Sequence, residues 1–419
     1  MKRVVFVNRF APPDVSATAQ LIGDLARQLT HNFSVTIVAG DQDYLSAATR
    51  TQPLVNALPD DFTVVRLRAS RFGRKHIAGR ALDYLTFHFA ALWWLLRNLR
   101  AGDVLVALTD PPLISVTAAI ACKMRGAELI NWVQDLFPEV ALRLGQPKGL
   151  RLFAWALRAG RDWSLRRARA NVAIGERMLE FLQQHGVQDT RLCLIPNWAH
   201  AEAGAGIAAA PNAMRKRLSL GDAFVVMYAG NLGRAHDAAS ILDAVELLRS
   251  SPSVVFLIVG DGHGNAWLRD QAQARGLENI RFEPYQPLAL LGDVLAAGDL
   301  HLVTLRSELE GLIVPSKFYG IAAAARPIAF IGDTEGELAR IVLRVECGFC
   351  VEQGQSKQLA EGILKLQANP AENARMGRNA LGLLEQEYSR SQAIARWNAL
   401  IASIHPQGRV PATSELAKE

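Results

Sequence analysis

The sequence predicts an α/β protein built from two Rossmann-like, doubly wound parallel-sheet domains. The chain has 419 residues, more than a single hydrophobic core usually supports, and half of its residues are hydrophobic. Apolar runs rich in β-branched residues alternate with helical stretches along its whole length. Such runs are typical of parallel strands covered by helices on both faces. Because the alternation forms two series, one in each half, we expect two domains.

The first series of predicted strands has seven members. They are residues 3–10, 34–40, 62–69, 103–109, 127–135, 171–175 and 191–197. The second series has six members, at 223–230, 254–262, 280–284, 300–305, 326–332 and 347–353.

An irregular segment at 196–215, rich in Ala, Gly and Pro, marks the expected join between the domains. We therefore predict an N-terminal domain over 1–200 and a C-terminal domain over 201–384. Residues 385–405 are predicted to form a helix that packs back on the N-terminal domain, and 406–419 a disordered tail.

The composition indicates a compartment and argues against two classes of protein. Four scattered cysteines are too few for a disulfide framework, which favours a reducing cytoplasm. The first apolar run is interrupted at once by Asn8 and Arg9, so it is interpreted as a strand and not as a signal peptide. The apolar stretch 81–96 contains Asp83 and is shorter than the ~20 residues of a bilayer span, so we expect a core or interfacial helix.

Positive charge is concentrated in the first half of the chain. Residues 66–100 and residues 143–169 each hold eight Lys or Arg side chains and one acid, although the net charge of the chain is only +6. Bulky apolar residues accompany both stretches, as expected of a surface that lies on anionic lipid headgroups. A nucleic-acid-binding surface explains these stretches less well than a lipid-binding surface, because no nucleic-acid recognition motif accompanies the charge. Solvated faces of ordinary core helices remain the alternative.

Strand-to-helix turns are where open α/β sheets bind ligands, and the turn after strand 223–230 is the strongest of these. It contains Gly230, Asn231, Leu232 and Gly233, followed by Arg234. The glycines allow the backbone close to a ligand, and the guanidinium offers donors that match a phosphate. The alternative is a tight turn with a solvated arginine.

The turn after strand 254–262 contains Asp261 and Gly262. Its glycines do not complete the dinucleotide fingerprint, because Asn265 stands where the last glycine belongs. A nicotinamide enzyme is therefore not predicted.

A lysine at the start of a helix is the third signal. In "VPSKFYGIAAAARP", Ser316 and Lys317 precede Phe318 and Tyr319 at the predicted helix start. The N-terminus of a helix is the positive end of its dipole, so a cation there suggests an intervening anion such as phosphate. A solvated lysine is the alternative. A fourth turn, at 9–21, places Ser16 at the start of the first helix.

Other motifs carry little weight. "DQD" at 41–43 is interpreted as a loop, and "CGFC" at 347–350 as part of a buried strand. Metal-ligand spacing among the histidines, a Gly-x-Ser-x-Gly elbow and a Walker A loop are all missing from the sequence. No metal site and no cofactor are predicted.

Taken in order, several motifs make the chain similar to glycosyltransferases of the GT-B fold and family 4 type. The resemblance extends from about residue 3 to 400 and includes bacterial enzymes of O-antigen, colanic acid and exopolysaccharide assembly, such as N-acetylfucosaminyl transferases. The motifs are "FAPPDVSATAQLIGDLARQL", "LTDPPLI", "NWVQDLFPEVALRLG", "LIPNW", "YAGNLGRAHD", "IVGDG", "VPSKFYGIAAAARPIAFIG" and "CGFCVEQG". The resemblance implies two domains facing a cleft, with the donor in the C-terminal domain and the acceptor in the N-terminal domain.

Carried over, the resemblance assigns roles to named residues. Gly230 to Arg234 are expected to meet the donor diphosphate, which would lie between the Lys317 ammonium and the helix amides after Ser316. Pro284 and Tyr285 are expected near the base.

The family's Glu-x7-Glu motif is incomplete, because Gly320 stands where its second glutamate belongs. Glu310 is therefore expected to contact the donor sugar. Asp135, in "VQDLF", is expected to face the reacting sugar or the acceptor hydroxyl, with a structural cap as the alternative.

The predicted function is transfer from a nucleoside diphosphate sugar, UDP-linked rather than GDP-linked, to a lipid-linked (undecaprenyl diphosphate) saccharide at the inner membrane face. By resemblance the reaction retains the anomeric configuration and needs no metal. Anionic membrane is an expected partner and nucleic acid is not. A nucleotide-sugar 2-epimerase-like enzyme and a non-catalytic subunit of a polysaccharide assembly complex remain alternatives.

Overall fold

The computed structural model describes residues 1–14, 16–41, 62–73, 77–145, 148–200 and 212–404. The chain divides into two compact units. Unit 1 comprises Met1–Pro196 and the chain from Ser391 onward, and unit 2 comprises Asn197–Arg390. Two predicted segments, Gln42 to Asp43 of "DQD" and the tail at 406–419, lie outside the described residues.

Unit 1 is built on a parallel sheet of seven strands in the order β3-β2-β1-β4-β5-β6-β7. The strands are β1 (Arg3–Val7), β2 (Ser34–Gly40), β3 (Thr63–Leu67), β4 (Val104–Ala107), β5 (Glu128–Val133), β6 (Ala170–Ala173) and β7 (Leu192–Leu194). The central strand β4, "VLVA", is fully apolar and fully buried, as expected of a parallel strand covered by helices on both faces.

The helices of unit 1 connect these strands. They are α1 (Ala17–Leu29), α2 (Ile77–Asn98), α3 (Ile114–Arg125), α4 (Glu139–Arg143), α5 (Lys148–Arg167) and α6 (Glu176–Gln184). In the described part of the chain, no helix combines the length and the apolar character needed to cross a membrane.

The last helix, α15 (Arg390–Ser403), belongs almost entirely to unit 1. The Trp397 ring lies 4.8 Å from the Trp132 ring, and the Lys2 ammonium donates to the Ile401 carbonyl at 2.8 Å. The chain therefore returns to the first unit after completing the second.

Unit 2 repeats the plan with a parallel sheet of six strands in the order β10-β9-β8-β11-β12-β13. The strands are β8 (Phe224–Ala229), β9 (Val254–Val259), β10 (Ile280–Glu283), β11 (Leu300–Thr304), β12 (Ile328–Ile331) and β13 (Gly348–Val351). The helices are α7 (Ala213–Arg217), α8 (Ala239–Leu247), α9 (His263–Ala274), α10 (Leu291–Ala297), α11 (Lys317–Ala323), α12 (Glu337–Arg344), α13 (Ser356–Gln367) and α14 (Pro370–Glu387).

The fold prediction is confirmed, since both sheets are parallel and twelve of the thirteen strands in the described part of the chain lie within the predicted segments. The exception, β6, begins one residue before its predicted segment, at Ala170. The strand order of each sheet reverses direction once, between β1 and β4 in unit 1 and between β8 and β11 in unit 2. These reversals are topological switch points, where open α/β sheets form a crevice outside the carboxyl ends of their strands.

Candidate functional site

The switch point of unit 2 is bounded by the glycine turn after β8. Gly230 has φ +121°, in the region that favours glycine, and a Cβ atom there would lie 2.9 Å from Cε of Lys317. Lysine 317 begins α11, which follows β11 along the chain. The missing side chain at Gly230 therefore makes room for the aliphatic stem of Lys317.

A second glycine turn supports the first. Gly262 has φ +130°, and a Cβ atom there would lie 2.3 Å from Oδ1 of Asn231. The Leu232 amide donates to the Asp261 carbonyl at 2.9 Å. The turns after β8 and β9 are thus packed backbone to backbone, and part of the need for glycine in "GNLG" and "GDG" is structural.

The Lys317 ammonium is held in a partly enclosed position beside the β8 turn. It lies 5.0 Å from the centre of the Tyr228 ring and 3.4 Å from Nε2 of His236. Burial lowers the pKa of Lys317 from 10.5 to about 8. At neutral pH the site therefore carries a positive charge that is poorly compensated by the residues around it.

The histidine beside Lys317 has a defined tautomer. Nδ1 of His236 lies 2.6 Å from the Thr304 carbonyl, which can only accept, so Nδ1 carries the proton. Nε2 therefore presents a lone pair to the Lys317 ammonium. Burial, together with the Lys317 charge, lowers the pKa of His236 to about 3, so the ring stays neutral at physiological pH. The neutral imidazole acts as an acceptor that orients the cation.

The end of β11 fixes the turn that carries His236. The Asp237 amide donates to the Thr304 hydroxyl at 2.8 Å, and the Arg306 amide donates to the Ala235 carbonyl at 3.0 Å. Because β8 and β11 are neighbours in the sheet, this brings "RAHD" against the strand that leads to Lys317.

The expected use of the helix amides after Ser316 is corrected. The amides of Phe318 and Tyr319 donate to the carbonyls of Pro315 and Ser316, both at 3.3 Å, so they are already paired. Helix α11 has only seven residues, and its lysine side chain extends to the β8 turn. The Lys317 ammonium and the β8 turn therefore form the electropositive site, without free donors from the Phe318 and Tyr319 amides.

The other predicted donor residues fall into two groups. The first group lies in the turns that follow β8, β9 and β10. In these turns the exposed residues are Asn231, Arg234, Asp261 and Pro284, and Tyr285 is partly exposed. Ser316 is also exposed, whereas Gly233 and Gly262 are partly exposed. The side chains of Leu232, Phe318 and Tyr319 are buried in the core, so only their backbone can face a ligand.

Glu310 has a structural partner. Its Oε1 accepts a hydrogen bond from the Glu337 amide at 2.8 Å, at the N-terminus of α12. A Cβ atom on Gly336 would lie 2.6 Å from Oε2 of Glu310. The carboxylate is thus seated at a helix start, where negative charge is favourable, and its contact with a donor sugar stays a prediction.

In unit 1, Asp135 lies just beyond β5 and lines a cavity with Thr109, Asn131 and Arg161. The residue is exposed at the mouth of this cavity. Surrounding protein raises its pKa to about 6; the Asp110 charge adds to this rise, and the hydrogen bond from Thr109 opposes it. A carboxyl with such a pKa suits proton transfer near neutral pH.

Ser16, also in unit 1, is buried and serves as a helix cap, because its hydroxyl accepts from the Ala19 amide at 3.3 Å.

Of the two weaker motifs, "CGFC" contributes to β13, whereas only Asp41 of "DQD" lies among the described residues. Cys347 is buried, Cys350 lies in β13, and burial raises the pKa of both thiols to about 12; neither forms a disulfide. The Asp41 carboxylate pairs with Arg71 at 2.6 Å. Among the described residues, no three His, Cys, Asp or Glu side chains are grouped to hold a metal ion.

Sequence reasoning missed Tyr228, His236 and Thr304. Tyr228 and Thr304 lie at the carboxyl ends of β8 and β11, and His236 lies in the turn between β8 and α8. Adjacency of those strands, which follows from the doubly wound order, would have pointed to them.

Comparison with known families identifies the class of protein. Residues 17–198 match the model of the glycosyl transferase 4-like domain, and residues 210–382 match that of glycosyl transferases group 1. Together the two matches cover most of the chain. The protein is therefore a glycosyltransferase of the GT-B fold, with a 4-like N-terminal domain and a group 1 C-terminal domain.

Individual relatives agree with this assignment. The chain is 26% identical to the probable glycosyltransferase WbjE of Pseudomonas aeruginosa, over 98% of this chain and 100% of that protein. It is 28% identical to the putative colanic acid biosynthesis glycosyl transferase WcaI of Escherichia coli K12, over 61% of this chain and 63% of WcaI. That match spans a little under two thirds of the length of WcaI.

Solved structures share the fold at low sequence identity. Anabaena Alr3699/HepE in complex with UDP superposes with a TM-score of 0.70 at 15% identity, covering 96% of this chain and 100% of that one. WaaG, a glycosyltransferase involved in lipopolysaccharide biosynthesis, gives 0.70 at 13% identity with the same coverage.

Proposed function

We propose that the protein transfers a sugar from a UDP-sugar to a lipid-linked saccharide during cell-surface polysaccharide biosynthesis. The observation that carries the donor half of this proposal is the Lys317 ammonium at the switch point of unit 2. It is a partly enclosed cation, with a lowered pKa, beside a glycine turn at the place where such sheets bind nucleotides. UDP in the HepE complex supports the choice of nucleotide.

The leaving group explains why a fixed cation serves this reaction. When the bond between the sugar and the diphosphate breaks, negative charge develops on the diphosphate. A preorganised donor aimed at that charge stabilises the transition state without reorganising at the moment of reaction. Tyr228, His236 and Gly230 hold the Lys317 ammonium in place, and Arg234 extends from the same turn into solvent. We assign the diphosphate to these two cations and propose that no divalent metal is required.

Asp135 is proposed to act in unit 1 on the acceptor hydroxyl or the reacting sugar. Its raised pKa supports a role in which the carboxyl exchanges a proton near neutral pH. Retention of the anomeric configuration is proposed from the family resemblance. The lipid-linked acceptor, with undecaprenyl diphosphate as its carrier, is proposed from the basic and apolar stretches of unit 1 and from the role named for WcaI.

The test uses purified protein and a panel of UDP- and GDP-sugars, with and without a lipid-linked saccharide. Release of UDP that depends on the acceptor, together with a new glycosidic bond whose anomeric configuration is read by NMR, is the expected result. A free sugar epimer formed without acceptor would indicate the epimerase-like enzyme. No turnover of any donor by folded protein would indicate a non-catalytic subunit.

A further inference from the structure

Helices α2, α3 and α5 form one layer on unit 1, and its outer face carries an unusual number of exposed apolar side chains. Helix α3 packs against both α2 and α5. In the described part of the chain fifteen large hydrophobic residues are exposed, and nine of them lie in or next to this layer. They are Phe72, Leu82, Leu85, Phe89, Trp93, Ile120, Met124, Phe153 and Trp155.

The apolar positions of α2 form a stripe and not a scatter. Leu85, Phe89 and Trp93 recur every four residues, so they lie above one another on one face of the helix. Phe89 is 70% exposed and Trp93 is 61% exposed. The opposite face, with Phe87, Ala91 and Leu95, is buried against the sheet. Because an ordinary surface helix is polar on its outer face, this stripe requires a partner.

The charge of the layer specifies what kind of partner it fits. Among the described side chains of the three helices, the only acids are Asp83, which is buried, and Asp162, which pairs with Arg161. The same three helices carry these exposed basic side chains: Arg97, Lys123, Arg125, Arg158, Arg166 and Arg167. The Arg97 guanidinium lies 4.1 Å from the centre of the Trp93 ring.

We infer that the outer face of the α2–α3–α5 layer docks on an anionic phospholipid surface, with the α2 stripe inserted among the headgroups and acyl chains. Basic side chains beside exposed aromatic ones are the combination that binds the interface of an anionic bilayer. A second copy of this chain is a poorer partner, because it would bring two positive faces together. No spanning helix is needed, since α2 lies along the unit with its other face in the core.

The inference does not depend on which donor or acceptor the enzyme uses. It does predict that a membrane surface is where unit 1 meets a lipid-linked substrate. If the protein failed to bind vesicles, the proposal of glycosyl transfer would still stand. If it failed to transfer a sugar, the proposal of membrane docking would still stand.

The experiment is flotation of the full chain with vesicles of phosphatidylcholine alone or mixed with phosphatidylglycerol. Wild type is expected to bind only the mixed vesicles. Binding should weaken at 1 M salt, where the Debye length falls to about 3 Å from about 8 Å at physiological ionic strength. Quenching of tryptophan fluorescence by brominated lipid, lost in part in Trp93→Ser, would report insertion of the stripe.

Two variants test the surface against matched controls. Phe89→Ser with Trp93→Ser removes exposed apolar groups, and Leu247→Ser with Leu343→Ser is the control in unit 2. Arg97→Glu with Lys123→Glu reverses two exposed charges, and Lys357→Glu with Lys365→Glu makes the same change elsewhere. Each α2–α3 variant should lower the affinity for mixed vesicles by about tenfold or more, whereas the controls stay near wild type.

Three results would overturn the inference. One is equal binding to neutral and anionic vesicles, and another is equal loss in test and control variants. The third is a concentration-dependent dimer that the Phe89→Ser, Trp93→Ser variant dissociates without changing vesicle binding, because the stripe would then be a protein interface. UDP release by the variants in solution, measured with donor alone or a water-soluble acceptor, verifies that they are folded.

Discussion

Replacing Lys317 by methionine is expected to lower activity and raise stability at once. Methionine keeps an unbranched side chain against the Tyr228 ring and Gly230 but removes the charge. If the ammonium stabilises the departing diphosphate, kcat/KM should fall by about 10²- to 10³-fold, the usual cost of one lost transition-state donor. The free energy of unfolding should rise, because the enclosed positive charge destabilises the folded protein.

The size of the stability change follows from the pKa. Burial lowers the pKa of Lys317 from 10.5 to about 8, and each pKa unit corresponds to about 1.4 kcal/mol. The charged form therefore costs the folded state at most about 3.5 kcal/mol. Because the side chain keeps some access to solvent, we expect Lys317→Met to raise the free energy of unfolding by about 1–3 kcal/mol at pH 7.

The pH dependence of the unfolding free energy independently tests whether the charge of Lys317 is destabilising. Between pH 8 and 10.5 the unfolded chain retains a proton on Lys317 that the folded chain has lost, so the stability of the wild type relative to Lys317→Met rises across this window. Below pH 8 both states are protonated and the full cost is present. Over the same range the activity of the wild type should fall above pH 8, as the free enzyme loses its cation.

The assay combines urea unfolding at several pH values with steady-state kinetics on the donor. Lys357→Met, which removes an exposed lysine from α13, is the matched control and should change neither quantity by much. Unchanged kcat/KM in folded Lys317→Met would remove the ammonium from the diphosphate site. A loss of stability of more than about 1 kcal/mol would show that the ammonium is compensated in the fold and that the reasoning from its burial is wrong.

The remaining predictions concern the same turn. Arg234→Ala should lower kcat/KM by about 10²-fold without changing the urea midpoint, since the side chain is exposed. His236→Phe should lower kcat/KM by about tenfold. His236→Gln should lower it less, because glutamine can supply a hydrogen-bond acceptor to Lys317. Neither effect should vary between pH 5 and 7, because His236 is neutral over this range. Gly230→Ala should cost about 1–3 kcal/mol in unfolding free energy, from its φ of +121° and the approach of Lys317. Activity should persist in excess EDTA, and a loss that Mg²⁺ restores would refute the metal-free proposal.

The strands were predictable because parallel strands covered on both faces carry a direct sequence signal. Every residue of β4 and of β12 is buried, and in such strands apolar side chains must occupy both faces. The turns after β8 and β9 were recognisable for a related reason, since glycine is required where φ is positive and backbones pack closely. These features depend on residues that are near one another in sequence.

The arrangement around Lys317 could not be read in the same way. It depends on contacts between Tyr228, His236, Thr304 and Lys317, which come from different strands and turns and meet only because β8 and β11 are neighbours. That Lys317 is directed at a phosphate stays a prediction, whereas the expected use of the α11 amides is corrected at Phe318 and Tyr319. Hydrogen bonds within the short helix, which the sequence pattern does not reveal, had already occupied them.

The position of Lys317 illustrates how a departure from local rules can mark a site. A cation at a helix start is unfavourable, an enclosed ammonium is unfavourable, and the neutral histidine beside it supplies no negative charge. The fold accepts all three in one place, although a solvated lysine on the same helix would have avoided them. The surrounding packing, with Gly230 making room for the stem and Thr304 fixing the histidine tautomer, holds the cation where it is least compensated. An anionic ligand would relieve the cost of this positive charge on binding, so the features that weaken the ligand-free protein agree with the diphosphate proposed for this turn.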